Sequence, residues 1–210
     1  MTSTDARPRL DLRALRHSDG WIFSTMLFSA CLSLLAAFVL SVDAVALAAS
    51  PDAVLACDIN AVLSCGAVGA AWQASLFGFP NAFLGLVAEP VVITIAVAAL
   101  GGVRFPRWFM LSAQVVYAFG LAFAYWLFYQ SMFVIGALCP WCMLITISTT
   151  LVFATLLHFN IRENNLFLSQ RAHERAVRFV RAGYDAVIVM VWLGLLLIGI
   201  VLRYGPSLLA

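Results

Sequence analysis

Apolar residues run along this chain in long blocks separated by short polar stretches. The blocks extend from Trp21 to about Ala49, Asn81 to Leu100, Trp108 to Tyr129, Leu138 to about His158 and Ala186 to Leu202. About 20 apolar residues in a helix cross the roughly 30 Å of bilayer hydrocarbon. Backbone groups in lipid must pair within their own segment, so each block reads as a helix. The pattern predicts five transmembrane helices, at about 21–49, 81–100, 108–129, 138–158 and 186–202. Between the third and fourth, only Gln130 and Ser131 are polar, which suggests two helices joined by a tight turn.

Composition agrees with the pattern. Of the 210 residues, 64% are hydrophobic and 10% charged, against about half and a quarter in a soluble domain. The length suits one domain of a few spans. Net charge, +2, says little, but its placement says more. All twelve basic residues are arginine, and eleven lie before the first span (Arg7, Arg9, Arg13, Arg16), between the second and third (Arg104, Arg107), or between the fourth and fifth (Arg162, Arg171, Arg175, Arg178, Arg181). Only Arg203 falls on the other side. The positive-inside rule then places segment 1–20 and loop 159–184 in the cytoplasm, with 51–79 and 130–138 facing outward across the cell membrane. A secretory signal ending near Ala46-Leu47-Ala48 is the rival reading of the first block. A signal's apolar core is about 7–15 residues, and this one is nearly twice that.

Two further segments carry pattern. Arg171, Arg175 and Arg178 recur at helical spacing among Ala172, Ala176, Val177 and Val180, as in an interfacial helix on an anionic inner leaflet. So few charges beside a membrane argue poorly for nucleic-acid binding. Val68, Trp72, Leu76, Phe77 and Phe79 suggest a short helix within 51–79, lying over the open end of the bundle or anchored at the interface by Trp72.

The topology sorts the five cysteines. Cys57 and Cys65 occupy the outward 51–79 loop, Cys139-Pro140-Trp141-Cys142 opens the fourth span from the same side, and Cys31 stands alone in the first. The outer side is where disulfides persist. Pro140 suits the first helical position, with Cys139 at the cap. A helix N-terminus favours negative charge and hence a thiolate, the form that attacks a disulfide. The Gly- and Ala-rich loop around Cys57 and Cys65 can bend toward a soluble partner and toward the buried pair. Two plainer readings stand beside this one: structural disulfides, above all Cys57–Cys65, and a four-thiolate zinc site. Zinc needs four ligands in one hydrophilic knuckle, whereas one pair here begins a lipid-embedded helix, so no metal is expected. Cys31 reads as a small buried hydrophobe.

The runs Cys57-Asp58-Ile59-Asn60 through Ser64-Cys65-Gly66, Phe77-Gly78-Phe79-Pro80-Asn81 with Gly85, and Cys139-Pro140-Trp141-Cys142 together resemble the bacterial vitamin K epoxide reductase homologues. The resemblance extends from the first span to the fourth. It implies an all-α integral membrane protein, a four-helix bundle around a quinone, with a fifth, peripheral helix. It also implies roles. Cys142 would lie next to the quinone and Cys139 would exchange with the loop. Cys65 would attack the Cys139–Cys142 disulfide, and Cys57 would exchange with a thioredoxin-fold, DsbA-like partner. Asn81 would donate a hydrogen bond to a quinone carbonyl, where reduction places charge; capping the helix behind Pro80 is its plainer role.

The implied function is thiol–disulfide oxidoreduction, reoxidising that outer partner and passing electrons to a membrane quinone. Menaquinone is the expected acceptor, with ubiquinone the alternative. Quinone or vitamin K epoxide reduction as the physiological goal is a second enzymatic reading. A non-enzymatic membrane protein with structural disulfides is a third.

The sequence also departs from the family. Ala71 stands where many members carry Ser or Thr, leaving Ser64 or Ser75 to supply a hydroxyl, and Thr146 stands where animal enzymes have Tyr. No thioredoxin-like domain is expected, so the partner would be a separate protein. Two acids lie within spans. Asp43, about 22 residues into a long helix, falls near the outer interface and reads as solvated. Glu89 lies deeper, before Pro90. Ionisable residues at such depth face the bundle interior, making Glu89 a candidate proton donor, with a structural role at the proline kink as the alternative.

Overall fold

The computed structural model describes residues 15–208. The first helix, α1, runs from Asp19 to Ala49, with Ser18 as its cap: the Ser18 hydroxyl accepts from the Trp21 amide at 3.2 Å. A loop leads to a single turn of helix, α2 (Cys65–Gly69), and a 3₁₀ turn at Trp72–Ser75. Helix α3 spans Ala82–Leu100 and α4 spans Arg107–Tyr129. Helix α5 runs Pro140–Arg162, the short α6 Gln170–Arg181, and α7 Tyr184–Leu208. Among the described residues there is no strand, and five helices are long and apolar enough to cross a membrane: α1, α3, α4 with its extension, α5 and α7.

Helix α1 is the centre of the bundle, packing along both α3 and α5, while α4 closes the ring against α5. Lipid offers little hydrophobic drive for this association, so it depends on close fit. Gly85 of α3 supplies one such fit, since a Cβ placed there would stand 2.6 Å from the Ala37 Cβ of α1. Phe23, Met26 and Ala30 of α1 interlock with Val92, Ile95 and Ala96 of α3 and with Val152 and Leu156 of α5. Helix α7 is peripheral. Its most apolar stretch buries nothing in the bundle, and Ile188, Val191 and Leu195 face outward.

Polar contacts tie α7 down at both ends. At the Arg-rich end, Asp185 accepts from Arg16 at 3.0 Å and meets His158 Nδ1 at 2.7 Å, and His158 Nε2 lies 3.0 Å from His17 Nδ1. Mid-span, Trp192 Nε1 donates to the Tyr125 hydroxyl at 2.8 Å. At the far end, Arg203 and Tyr204 both donate to the Met132 carbonyl, at 3.1 and 2.6 Å.

That carbonyl belongs to the segment where a tight turn at Gln130 and Ser131 was expected. The helix does not break there. It continues as a π turn over Gln130–Ile135 and ends at Gly136, whose φ of +78° is left-handed. The two polar residues do not stop it because their side chains are engaged: Gln130 accepts from Gln73, and Ser131 donates to the Ala137 carbonyl. Helix α5 likewise runs past His158 to Arg162, whose guanidinium pairs with Asp19 and Glu163.

Replacing Gly85 with Ala should force α1 and α3 apart at their tightest contact. The expected cost is about 1–3 kcal/mol, read as a lower midpoint for thermal unfolding in detergent. An unchanged midpoint would show that the contact does not hold the pair.

Candidate redox site

The loop after α1 is built on two carboxylate or amide side chains. Asp58 accepts from the Leu55 amide at 2.8 Å, the Gly66 amide at 2.8 Å and the Ser64 hydroxyl at 2.7 Å. These bonds, the Gly66 amide first and the Leu55 amide next, hold the Asp58 carboxyl below the usual carboxylate range. Asn60 Oδ1 accepts from the amides of Val62 and Leu63 at 2.9 and 2.8 Å, an Asx turn that aims the chain back toward the bundle. Ser64 then caps α2 by accepting from the Ala67 amide at 3.0 Å. Ser64 therefore serves the loop's fold, and Ala71 only precedes the 3₁₀ turn.

The same loop is stitched to the start of α5. The Ser64 amide donates to the Leu138 carbonyl at 3.0 Å, and the Leu138 amide donates to the Val62 carbonyl at 2.6 Å, forming a parallel bridge between Leu63 and Leu138. The next residues on the two strands of this bridge lead directly to Cys65 and Cys139. Both are buried, and Cys139 Sγ lies 3.4 Å from Cys65 Sγ. Cys65 is disulfide-bonded to Cys57, while Cys139 and Cys142 are free thiols.

Cys139 is the N-cap of α5, with Pro140 in the first turn, and its sulfur accepts from the Cys142 amide at 3.3 Å. A helix start that aims an amide at a sulfur favours its thiolate, which marks a reactive cysteine.

Behind the sulfurs lies an apolar cavity of about 540 Å³, walled by α1, α3, α4 and α5 and roofed by α2 and the 3₁₀ turn. Cys65, Cys139 and Cys142 line one side, and Asn81 and Glu89 another. Asn81 precedes α3 but does not cap it through its side chain. Its Nδ2 donates to the Gln73 carbonyl at 2.6 Å, while its buried Oδ1 has no partner. Glu89 is buried; Oε1 accepts from Ser33 at 2.7 Å and Oε2 from Tyr117 at 2.9 Å. Thr146 spends its hydroxyl on the Cys142 carbonyl at 2.9 Å. Cys31 faces outward from α1, away from the cavity.

The Vitamin K epoxide reductase family model matches residues 24–157. The chain belongs to the vitamin K epoxide reductase family. The match runs from α1 into α5, covering both cysteine pairs and the cavity and ending before α6 and α7. No curated protein matches the chain. As a member of that family, with five apolar helices, the protein is a multi-pass membrane redox enzyme that works through cysteine pairs.

Asp43 is the residue whose surroundings differ most from expectation. It lies near the end of α1, but half-buried and lining the cavity, with Oδ2 3.8 Å from Cys57 Sγ. Tyr117 and Ser33, which hold Glu89, were also missed, since a Tyr and a Ser in apolar helices give no signal of their own.

The Asp58 cradle predicts a pH dependence. A carboxyl whose pKa is depressed by folding stabilises the loop above its unfolded value, about 3.9. That support is lost as pH falls through the lower folded value. Deuterium uptake by the segment 55–67, corrected for intrinsic exchange, should rise as pH drops below about 4. In Asp58→Asn it should be high at neutral pH as well. Equal uptake in the two proteins at neutral pH would dismiss the cradle.

Proposed function

We propose that this protein oxidises a reduced thioredoxin-fold, DsbA-like partner on the outer side of the cell membrane and passes the electrons to a membrane quinone. The observation that carries this reading is the 3.4 Å approach of Cys65 Sγ, already bonded to Cys57, to Cys139 Sγ at the wall of the apolar cavity. The arginine distribution supports an orientation with the N-terminus in the cytoplasm and both cysteine pairs outside.

A thiolate of the partner attacks Cys57, the Cys57–Cys65 bond breaks, and Cys65 leaves as thiolate. The partner's second thiolate displaces Cys57, and the partner departs oxidised. Cys65 attacks Cys139 in the Cys139–Cys142 disulfide, and Cys142 leaves as thiolate. Cys57 then attacks Cys65, restoring the loop disulfide as Cys139 leaves as thiolate. Two electrons have moved inward as one disulfide was exchanged for the other. The pairing in the structure, loop disulfide with free Cys139 and Cys142, corresponds to this stage.

A quinone would supply a two-electron, two-proton acceptor, and the cavity residues fit one. Lining that is mostly apolar suits a ring and an isoprenoid tail. The Asn81 amide retains one N–H for a carbonyl oxygen, and its unpartnered Oδ1 can accept from a hydroxyl. Cys142, half-buried on the cavity wall, holds the electron pair to be given up. Glu89 supplies a proton within the bundle, with Ser33 and Tyr117 fixing its carboxyl.

Membranes carrying the protein, given a reduced DsbA-like partner and menaquinone or ubiquinone, test this reading. Cys139→Ala should abolish quinone reduction and partner oxidation beyond one equivalent, while Cys31→Ala should leave both near wild type. A mixed disulfide trapped in Cys139→Ala should join the partner to Cys57. Multiple-turnover partner oxidation that survives Cys139→Ala would end the proposal. For Glu89→Gln, quinone reduction should slow by about a hundredfold or more, the lower end of general-acid effects, with the Cys65–Cys139 exchange unchanged. Unchanged quinone reduction would remove Glu89 from the mechanism.

A further inference from the structure

Among the described residues, Asp43, Cys57 and Cys65 form a cluster of potential ligand atoms all within 4.8 Å of one another. Both sulfurs are committed to a disulfide, so the cluster is a carboxyl group set against a redox-active bond. The 3.8 Å between Asp43 Oδ2 and Cys57 Sγ is a contact in this state, because a disulfide sulfur carries no proton to donate. Once the disulfide opens, Cys57 Sγ leaves as a thiolate, and the two atoms can share one proton.

The surroundings leave Asp43 without another occupation. Among the described residues it makes no ion pair, and its one polar side-chain contact is with Cys57 Sγ. The other titratable groups in electrostatic reach are Asp58 on the loop and Cys139 at the start of α5. Asp58 is already engaged by Leu55, Ser64 and Gly66, and Cys139 faces Cys65. A half-buried carboxyl group with no other side-chain partner among the described residues, beside the sulfur that meets the substrate, is a candidate for chemistry at that sulfur.

We propose that Asp43 is the general acid–base for Cys57, a role that rests on the thiol–disulfide reading above. When the partner's second thiolate displaces Cys57, the Cys57 sulfur leaves with an electron pair, and the Asp43 carboxyl gives it a proton. The product is a neutral Cys57 thiol beside an Asp43 carboxylate. When Cys57 must attack Cys65 to restore the loop disulfide, the carboxylate takes that proton back as the new S–S bond forms and the Cys65–Cys139 bond breaks. The proton moves only between Asp43 Oδ2 and Cys57 Sγ, and the electron count is that of disulfide exchange.

The arrangement separates two needs. The partner meets a disulfide with no free thiolate competing for it, and Cys57 becomes a nucleophile only when it has a bond to form. Asp43 serves this at a sulfur where helix α5 cannot, because the helix start is directed at Cys139.

Two measurements test the assignment. In the full-length protein carrying Cys65→Ala, Cys57 is a free thiol, and its rate of alkylation against pH reports its proton affinity. A carboxylate neighbour raises that affinity, so adding Asp43→Asn should shift the Cys57 profile to lower pH and speed alkylation several-fold near neutrality. In the protein with all five cysteines, Asp43→Asn should nonetheless slow partner oxidation by at least about tenfold, and Asp43→Glu should recover part of the loss. A more acidic thiol coupled to slower turnover is the signature of a lost acid–base, and a merely structural residue would not produce it. An unshifted alkylation profile, or Asp43→Asn turnover equal to wild type, would overturn the proposal. The alkylation measurement needs neither partner nor quinone. It therefore judges the Asp43–Cys57 pairing even if the wild-type protein fails to oxidise the partner, a result that would count against the wider reading alone.

Discussion

Two backbone hydrogen bonds, between Ser64 and Leu138 and between Leu138 and Val62, are the contacts on which the site depends. They fix the register of a loop against the start of a helix, in a protein with no described strand. Each redox pair is assembled locally, Cys57–Cys65 by the Asp58 cradle and Cys139–Cys142 by the first turn of α5. Neither local device brings the pairs together. The bridge does so, because Cys65 and Cys139 each follow it by a fixed number of covalent bonds. Behind it, Val62, Leu138, Met132 and Tyr204 form a small core, so the position of the bridge is coupled to the π turn and to the end of α7.

Much of the architecture was legible because lipid makes the sequence code coarse. A helix that must cross hydrocarbon cannot conceal its apolar length, and the five helices appear as five blocks. The ends were less legible. The helix passes through Gln130 and Ser131 because their side chains find partners on other segments, Gln73 and the Ala137 carbonyl. Polarity alone cannot distinguish a break from a satisfied buried residue. Arg162 stays helical for a similar reason, its charge being met by Asp19 from α1.

The cysteines were legible from spacing and side, since Cys-x-x-Cys at a helix start carries its own chemistry. What surrounds them was not. Depth along the helix axis makes Asp43 read as solvated, but depth says nothing about the angle at which a side chain projects. The same limit applies to Ser33 and Tyr117, which reach Glu89 from two other helices. Asn81 shows a different gap: sequence statistics favour a cap, yet its amide turns to the Gln73 carbonyl and leaves an oxygen unpartnered in the cavity.

Helix α1 has 31 residues, a length of about 46 Å at 1.5 Å per residue. Even tilted by about 20°, it rises about 43 Å along the bilayer normal, well beyond the roughly 30 Å of hydrocarbon. Its first turn is tied to the end of α5 by the Asp19–Arg162 pair, and Asp43 stands in the last two turns at the opposite end. The loop disulfide sits at that end, with Cys65 on one wall of the cavity and Glu89 on another. Only sulfur atoms stand between the loop and the interior there, so the length of α1 sets how far the outermost cysteine is held from the middle of the bundle.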